Sequence, residues 1–394
     1  MNERTDKKKL LIAVHRMNVG GVQKSLLSAL HALDYEHFDV TLYIRQDRCD
    51  LLSQADPRVG RIIVNRDPTR YYRKPRAIFY TVCLRLQKLL RRDQRGTQEA
   101  LNAYIGGRRM YYEKKRYFSD GVRYDAAISY IQGPTAAFVE TCVPADKKIV
   151  FFHGSVDENH ALHEAIFPSF DKIVAVNNDC GEILRKLYPA ASEKITVLEN
   201  YVDARRLQAD AAEYPIDRAG KKTVLCTCGR FTPVKGFDLA VQTAALLRDR
   251  NVDFLWYFAG DGPERASLEA EIAALKLEKQ IAVTGFLQNP YPYIAGCDIY
   301  VQPSYEEAQP MSVIESNLLC RPVVTTATVG GRNLVKDGET GLIADFSAAD
   351  LADKIERMTK DTALYDRIRN TLLRTDHSGE KADFCRAWEE LLRF

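Results

Sequence analysis

Residues 302–315 read QPSYEEAQPMSVIE, and this stretch decides the fold. Residues 298–302, apolar at 299–301, predict a buried strand, and Pro310 predicts a helix start, because proline is favoured at the first helical position. Free backbone N–H groups at such a helix start can bind an anion. The loop presents Glu307, and Glu315 follows about one turn inside the helix. Because carboxylates accept hydrogen bonds from sugar hydroxyls, the stretch predicts a phosphate at the helix tip and hydroxyls on both glutamates, although Glu315 alone fits a helix-surface acid.

A second loop of similar character lies upstream, where residues 228–236 read CGRFTPVKG. Arg230 and Lys235 stand five residues apart between glycines, so two fixed cations can hold two phosphates while the backbone stays close. The loop predicts a diphosphate site, with a solvated turn as its alternative. Gly20 and Gly21 follow the first apolar run in the same manner, which fits a phosphate near a helix start or a mere tight turn.

Strand-like apolar runs alternate with helical patterns, which predicts an α/β fold with parallel sheets covered on both faces. Seven runs precede residue 200, at 9–15, 38–44, 61–64, 126–131, 148–153, 172–176 and 194–198; six follow, at 223–228, 254–258, 281–286, 298–302, 322–326 and 341–344. The polar residues 201–221 between the two sets lack periodicity and predict a linker. The predicted units are residues 1–200, residues 201–378 and a last helix, 379–394, whose apolar stripe needs a partner such as the first domain.

Length and composition exclude several classes of protein. At roughly 150 residues per domain, 394 residues predict two or three domains rather than a single-domain adaptor. The 46% of hydrophobic and 28% of charged residues disfavour disorder, collagen and coiled coil. No apolar run approaches the roughly 20 residues of a membrane span, and residues 10–14 are too few for a secretory signal, so we expect a cytoplasmic protein. Nine cysteines without a C-x-x-C pair predict reduced thiols, with neither disulfides nor structural zinc.

The basic charge is concentrated in residues 66–123, which hold 16 Lys and Arg against 5 Asp and Glu and leave the rest of the chain at −8. Seven tyrosines lie in the same segment, and its apolar residues between Phe79 and Leu90 recur at helical spacing. A basic amphipathic helix can lie on an anionic membrane surface, face a phosphate-bearing partner, or pack on its own domain. No nucleic-acid partner is expected, because no nucleic-acid motif accompanies the charge.

Together these residues resemble the retaining glycosyltransferases of family 4, the glycosyl transferases group 1. Their fold is GT-B, in which two Rossmann-like domains face each other across a cleft. The most specific element is the pair Glu307 and Glu315, separated by seven residues. The loop of Arg230 and Lys235 matches upstream, and so do three further motifs: Gly260-Asp261-Gly262-Pro263, Thr284-Gly285-Phe286, and Asp337-Gly338 with Gly341. The resemblance covers nearly the whole chain outside the basic segment.

The resemblance implies a metal-independent enzyme that moves a sugar from a nucleoside-diphosphate sugar, with UDP as the favoured nucleotide, and retains the anomeric configuration. Arg230 and Lys235 would hold the leaving diphosphate, Glu307 the donor sugar and Glu315 the ribose. His153, in the FFHG of residues 151–154, resembles the family histidine beside the donor sugar. These four catalytic candidates (His153, Arg230, Lys235, Glu307) are joined by nine donor-binding candidates: Gly20, Gly21, Gly260, Phe286, Leu287, Pro310, Met311, Ser312 and Glu315. No metal ligand and no cofactor are expected, since the sequence contains no D-x-D.

Two positions depart from the family pattern: Ala308-Gln309 replace a frequent Gly-Phe, and Asn333 stands where an acidic residue is common. The first departure bears on which sugar is bound. The basic segment 66–123 is the least family-like part and favours a glycan or lipid-linked glycan as acceptor, at the inner membrane face, as in surface-polysaccharide assembly. No first-domain carboxylate stands out as a covalent nucleophile. The alternatives are a GT-B nucleotide-sugar epimerase, a phosphorylase, or a catalytically silent GT-B subunit that binds a partner.

Overall fold

The computed structural model describes residues 7–65, 110–111, 113–154 and 160–393. These residues form two α/β domains, each built on one parallel sheet. Most of the basic segment, residues 66–109 and 112, lies outside the described residues, and with it the amphipathic helix predicted there.

The first domain is built on a seven-stranded parallel sheet in the order β3-β2-β1-β4-β5-β6-β7. Its strands are β1 Lys8–Val14, β2 Phe38–Ile44, β3 Arg61–Val64, β4 Tyr124–Ser129, β5 Ala145–Phe152, β6 Lys172–Ala175 and β7 Ile195–Val197. Its helices among the described residues include α1 Gly21–Ala32, α2 Pro134–Cys142, α3 His160–Ile166 and α4 Asn178–Leu187. Apolar clusters cover both faces of the sheet, which is why its central strands read as continuous apolar runs.

The second domain is built on a six-stranded parallel sheet in the order β10-β9-β8-β11-β12-β13. Its strands are β8 Thr223–Cys228, β9 Phe254–Ala259, β10 Ile281–Gly285, β11 Ile299–Gln302, β12 Val323–Thr326 and β13 Gly341–Ala344. The helices are α5 Ala204–Ala211, α6 Phe237–Asp249, α7 Arg265–Ala274, α8 Tyr291–Gly296, α9 Met311–Leu318, α10 Val329–Leu334, α11 Ala348–Lys360 and α12 Thr362–Arg374.

All thirteen predicted strands are present, and the α/β prediction is confirmed. The largest error is at β5, which begins at Ala145 rather than at residue 148. Strand order reverses between β1 and β4 in the first sheet and between β8 and β11 in the second. Open α/β sheets bind ligands beyond the carboxyl ends of their strands at such reversals, so these two points locate the site.

The linker predicted over residues 201–221 contains a helix that its sequence pattern does not indicate. Residues 204–211 form α5. Asp203 caps its start, because its side chain accepts hydrogen bonds from the N–H groups of Arg205 and Arg206. Val202 and Leu207 bury against the second domain in a small apolar cluster. With so few apolar residues, the helix leaves no periodic pattern in the sequence, although its packing makes it part of the second domain.

The last helix, α13 Glu380–Leu391, leaves the second domain and packs on the first. Its apolar stripe (Phe384, Trp388, Leu391 and the following Leu392) joins the cluster beneath β1 and β4. Phe384 stacks on Tyr201 with ring centroids 5.2 Å apart, where the chain first crosses between the domains. The chain therefore crosses the cleft twice, and the two crossings touch.

The end of the basic segment packs into the core of the first domain. Phe118 is buried against Tyr43 and Phe138. Glu113 is fully buried and pairs with Arg45, whose Nη2 lies 2.9 Å from Oε2 of Glu113. Burial of a charge is tolerated because the carboxylate is paired and hydrogen-bonded.

Eight of the nine cysteines lie among the described residues, and all eight are free thiols. Burial raises the pKa of Cys142 and of Cys180 to about 11, so these thiols stay protonated at neutral pH. Within the described ranges, no helix has both the length and the apolar character needed to cross a bilayer.

Candidate functional site

The loop after β8 lies directly against the loop after β11. It turns through a short 3₁₀ helix, Pro233–Lys235, and then through Gly236, whose φ of 64° is a left-handed conformation that glycine adopts without strain. A Cβ at Gly236 would lie 2.1 Å from the carbonyl oxygen of Pro303. Glycine is therefore required here, since it lets the two loops approach and form one surface.

Two cations project from this loop in different directions. Lys235 Nζ lies 2.5 Å from Oε1 of Glu307, at the end of β11. Arg230 is exposed and reaches the first domain, where its Nη2 donates to the carbonyl oxygen of Val19 at 3.4 Å. Of the two predicted cations, Lys235 thus contacts its own domain and Arg230 contacts the first domain.

The carboxylate of Glu307 is held at one oxygen only. Its Oε1 accepts hydrogen bonds from Gln302 Nε2 and Ser304 Oγ, each at 3.0 Å, in addition to the contact with Lys235. Within the described residues no donor is recorded at Oε2. The side chain is therefore fixed in orientation and keeps one oxygen available for a ligand.

Helix α9 begins beside this carboxylate. Pro310 precedes it, and no side chain caps its first turn, so the first N–H groups remain available to an anion. Ser312 Oγ donates to Gln302 Oε1 at 3.0 Å, which ties the helix start to the end of β11. Met311 is buried next to Gly21 of the first domain.

The neighbouring strand ends complete the second-domain wall. A Cβ at Gly260 would lie 1.8 Å from the carbonyl oxygen of Gly229, so the ends of β8 and β9 can come this close only with glycine. After β10, Phe286 is 54% exposed, and Leu287 follows it in the same wall. An exposed aromatic ring in a cleft offers an apolar face to a ligand.

His153 lies at the end of β5 and faces the site from the first domain. Its ring packs against Tyr130 and Phe151, with centroids 5.3 and 6.0 Å apart, and Tyr130 is itself stacked on Phe151. Among the described residues its buried Nε2 has no hydrogen-bond partner. Burial lowers the pKa of His153 to about 4, partly countered by a backbone contact near Tyr130, so the ring is neutral at pH 7.

Glu315 lies inside α9 and makes contacts that the sequence did not predict. Lys24 Nζ, from α1 of the first domain, lies 3.0 Å from Oε1 of Glu315, and the Tyr291 hydroxyl donates to the same oxygen at 3.2 Å. The side chain of Glu315 is 2% exposed. No local pattern points to Lys24 or Tyr291, because they lie far from Glu315 in sequence.

All thirteen predicted site residues line one cavity of about 580 Å³ between the two domains. That volume is within the range of small-molecule sites. The cavity also contains residues that were not predicted: Lys24, Asp50, Asn200 and Gln309 among them. Asp50 is exposed and, among the described residues, is the one first-domain carboxylate in the wall. That no first-domain carboxylate acts as a covalent nucleophile stays a prediction.

Both departures from the family pattern make contacts between the domains. The carbonyl oxygen of Ala308 accepts a hydrogen bond from Asn177 Nδ2 at 2.6 Å, and Gln309 Oε1 accepts one from the N–H of Asn200 at 2.8 Å. Asn333 Nδ2 donates to Oδ2 of Asp179 at 2.9 Å. An acidic residue at position 333 would face the Asp179 carboxylate, so the amide suits this interface.

Within the described residues there is no group of three or more His, Cys, Asp or Glu side chains that could hold a metal ion. Metal independence and the absence of a cofactor remain predictions. The cations, the start of α9 and the polar groups of the cleft together form a surface that can bind an anionic ligand carrying hydroxyl groups.

Comparison with known proteins relates this cleft to a family. Residues 211–372 match the family described as Glycosyl transferases group 1. The second domain thus resembles the group 1 glycosyl transferases. HepE of Anabaena, solved in complex with UDP and glucose, superposes with a TM-score of 0.72 at 15% identity, over 98% of this chain and 99% of that chain. The predicted GT-B fold is confirmed.

Curated glycosyltransferases match over shorter stretches. Alpha-D-kanosaminyltransferase of Streptomyces kanamyceticus is 31% identical over 150 residues, which are 37% of this chain and 39% of that protein. The N-acetylgalactosamine-N,N'-diacetylbacillosaminyl-diphospho-undecaprenol 4-alpha-N-acetylgalactosaminyltransferase of Campylobacter jejuni is 29% identical over 188 residues, which are 48% of this chain and 50% of that protein. The matches span about half the length of these relatives or less.

Proposed function

We propose that this protein is a glycosyltransferase that moves a sugar from a nucleoside-diphosphate sugar to an acceptor in glycan biosynthesis. One observation carries the proposal: the cleft of about 580 Å³ brings together Arg230, Lys235, the start of α9, Glu307 and His153. The similarity of residues 211–372 to the glycosyl transferases group 1 supports the same reaction. UDP is the proposed nucleotide, supported by the UDP bound in the HepE structure.

The chemistry of sugar transfer explains why cations and helix N–H groups belong here. Breaking the anomeric C–O bond gives an oxocarbenium-like sugar and a departing nucleoside diphosphate. Negative charge grows on the diphosphate as the bond breaks. We assign Arg230, Lys235 and the free N–H groups of the first turn of α9 to that charge, because fixed donors in a partly buried cleft need no reorganisation during the reaction.

The remaining roles are assigned by charge and position. Glu307, held at Oε1, accepts donor-sugar hydroxyls at Oε2, and Glu315 accepts ribose hydroxyls. His153 contributes a neutral ring beside the sugar, since the pKa of its buried imidazole is lowered to about 4. No metal is assigned a role.

We propose that the reaction retains the anomeric configuration, by attack on the same face with the departing phosphate assisting deprotonation of the acceptor. The alternative is a double displacement, in which a carboxylate attacks the sugar. Among the described residues of the first domain, Asp50 is the carboxylate in the cavity wall that could take this role. Proton NMR of the product gives the anomer directly, and an inverted product contradicts retention. If Asp50→Asn abolishes transfer and the wild-type protein forms a covalent glycosyl adduct, the same-face route is wrong.

The acceptor proposed is a glycan or a lipid-linked glycan of surface-polysaccharide assembly. Its support is the local excess of 16 basic over 5 acidic residues in residues 66–123, and the Campylobacter jejuni relative, whose name includes a diphospho-undecaprenol acceptor. Co-sedimentation with anionic and neutral vesicles tests the association with membranes. Pelleting with anionic vesicles alone supports it, and absence from both pellets contradicts it.

The donor is tested by a thermal-shift screen of nucleoside diphosphates and their sugars. A ligand at 100 times its Kd adds about 2.7 kcal/mol of apparent stability, which such a screen resolves easily. Incubation of the preferred donor with and without acceptor then separates transfer from epimerisation. A protein that binds no nucleotide sugar, or that epimerises the donor without transferring it, contradicts the proposed function.

A further inference from the structure

The ion pair between Lys24 and Glu315 crosses the cleft. Lys24 belongs to α1 of the first domain, and Glu315 belongs to α9 of the second. Nζ lies 3.0 Å from Oε1 and 3.4 Å from Oε2, and the two side chains are 19% and 2% exposed. Both residues line the cavity and also a neighbouring one of about 560 Å³. Removing two charges from water is costly, so the pair needs an explanation.

Tyr291 completes the cluster. Its hydroxyl donates to Oε1 at 3.2 Å, and the Lys24 ammonium lies 4.4 Å from the centroid of its ring. Among the described residues, Oε1 of Glu315 thus accepts two hydrogen bonds, whereas Oε2 receives only the longer contact from Lys24. A carboxylate oxygen offers two lone-pair sites, so the remaining accepting capacity of Glu315 lies on Oε2.

The charge states of the cluster support this reading. Burial lowers the pKa of Lys24, but attraction to Glu315 and Tyr291 outweighs burial, so the pKa lies above its ordinary value. Burial raises the pKa of Tyr291, and the charge of Glu315 raises it further. At neutral pH both groups therefore remain hydrogen-bond donors to the carboxylate.

We propose that Lys24 and Tyr291 are positioning residues for the nucleotide's ribose: they hold Oε1 of Glu315 so that Oε2 accepts a hydrogen bond from a ribose hydroxyl. The inference rests on the proposed function, in which Glu315 binds the ribose. Because Lys24 comes from the first domain, the ribose site is complete only when the two domains are in contact. The ligand class selected is a ribonucleoside diphosphate over its deoxyribose counterpart.

The test is calorimetric titration of the full chain with UDP, GDP and ADP and with their 2′-deoxy and 3′-deoxy forms. The wild-type protein should prefer at least one ribose form by roughly ten- to hundredfold, the value of one hydrogen bond to a charged acceptor. Lys24→Met should reduce that preference to about threefold or less, on the same scale of one lost charged hydrogen bond. Lys24→Arg should keep most of the preference, and Tyr291→Phe should give an intermediate value.

The control is Arg45→Met, which breaks a similarly buried ion pair, Arg45–Glu113, outside the cavity wall. It should lower the unfolding temperature without changing the ribose preference. If Lys24→Met weakens the ribose and deoxyribose forms equally, Lys24 is merely structural and the inference is wrong. If the wild-type protein binds none of the nucleotides, the proposed function fails and the inference fails with it. If Lys24→Met does not fold, Tyr291→Phe decides: an unchanged ribose preference in this variant overturns the inference, and an intermediate preference supports it.

Discussion

Replacement of Lys235 by alanine is the sharpest test of how the cleft handles charge. Lys235 Nζ lies 2.5 Å from Glu307, at the end of a loop that Gly236 fixes against the loop after β11. Alanine removes the cation and leaves the loop intact. Glu307 loses this cation but still accepts hydrogen bonds at Oε1 from Gln302 and Ser304.

The expected magnitudes separate catalysis from folding. One preorganised donor aimed at a developing charge is worth about 3 kcal/mol, which is roughly a hundredfold in turnover. The cost in folding should be small, because the side chain of Lys235 is 30% exposed and ion pairs of that exposure contribute about 1 kcal/mol or less. Lys235→Ala should therefore fold normally and turn over roughly a hundredfold more slowly.

The assay measures release of the nucleoside diphosphate under saturating donor and acceptor, with unfolding followed by circular dichroism in parallel. Lys221→Ala is the matched control, since Lys221 pairs with Asp253 at 2.8 Å with a similar exposure of 32% but lies outside the cavity wall. Turnover of Lys235→Ala within a few-fold of the wild type would refute the assignment of this lysine to the leaving group. An equal loss in Lys221→Ala would show a general effect of charge.

Three further changes test the geometry of the cleft. Gly260→Ala should lower the free energy of unfolding, measured in urea, by about 1–3 kcal/mol, because the new Cβ would clash with the carbonyl oxygen of Gly229. Gly229→Ala is the control, since its Cβ would make only ordinary contacts. Equal stability of the two variants would contradict the predicted clash. Asn333→Asp should lower the melting temperature at low salt, because the new carboxylate faces that of Asp179. The melting temperature should recover at high salt, or when Asp179→Asn is added. A loss that does not depend on salt would argue against repulsion between the carboxylates. For His153, the folded pKa of about 4 lies below the unfolded value near 6.5, so the unfolded chain binds more protons between these two pH values. The free energy of unfolding should therefore fall by up to about 3 kcal/mol as the pH drops from 6.5 to 4. His153→Gln should flatten this pH dependence in urea titrations from pH 4 to 7.5, and an unchanged slope would assign the dependence to other groups.

The strands could be predicted because parallel strands buried on both faces leave continuous apolar runs in the sequence. Residues 10–14 of β1, for example, are all buried. Helix α5 could not, since it buries a single side chain, Leu207, and the apolar periodicity that announces a helix is absent. The packing of the end of the basic segment is hidden for a related reason: charge dominates its composition, although Phe118 is buried in the core.

The predicted site residues lie near the ends of strands or at the helix starts that follow them, so the topology of each sheet gathers them at one edge of its own domain. Lys24 was beyond prediction because its partner Glu315 lies 291 residues away in the other domain, and nothing local marks the pairing. Asp50 was missed because it follows no strand directly. Contacts between domains depend on how the two sheets dock, which periodicity and spacing do not encode.

The double crossing of the chain restricts how the two lobes can move. Tyr201 on the outward passage and Phe384 after the return passage stack at 5.2 Å, so both covalent tethers pass through one place. Two adjacent tethers act as a hinge: they permit the lobes to rotate about a line through this place and resist sliding or twisting of one lobe on the other. Ligands should then enter and leave at the rim opposite this hinge. Helix α13 should move with the first lobe, because Trp388 is stacked on Phe151 with ring centroids 5.6 Å apart.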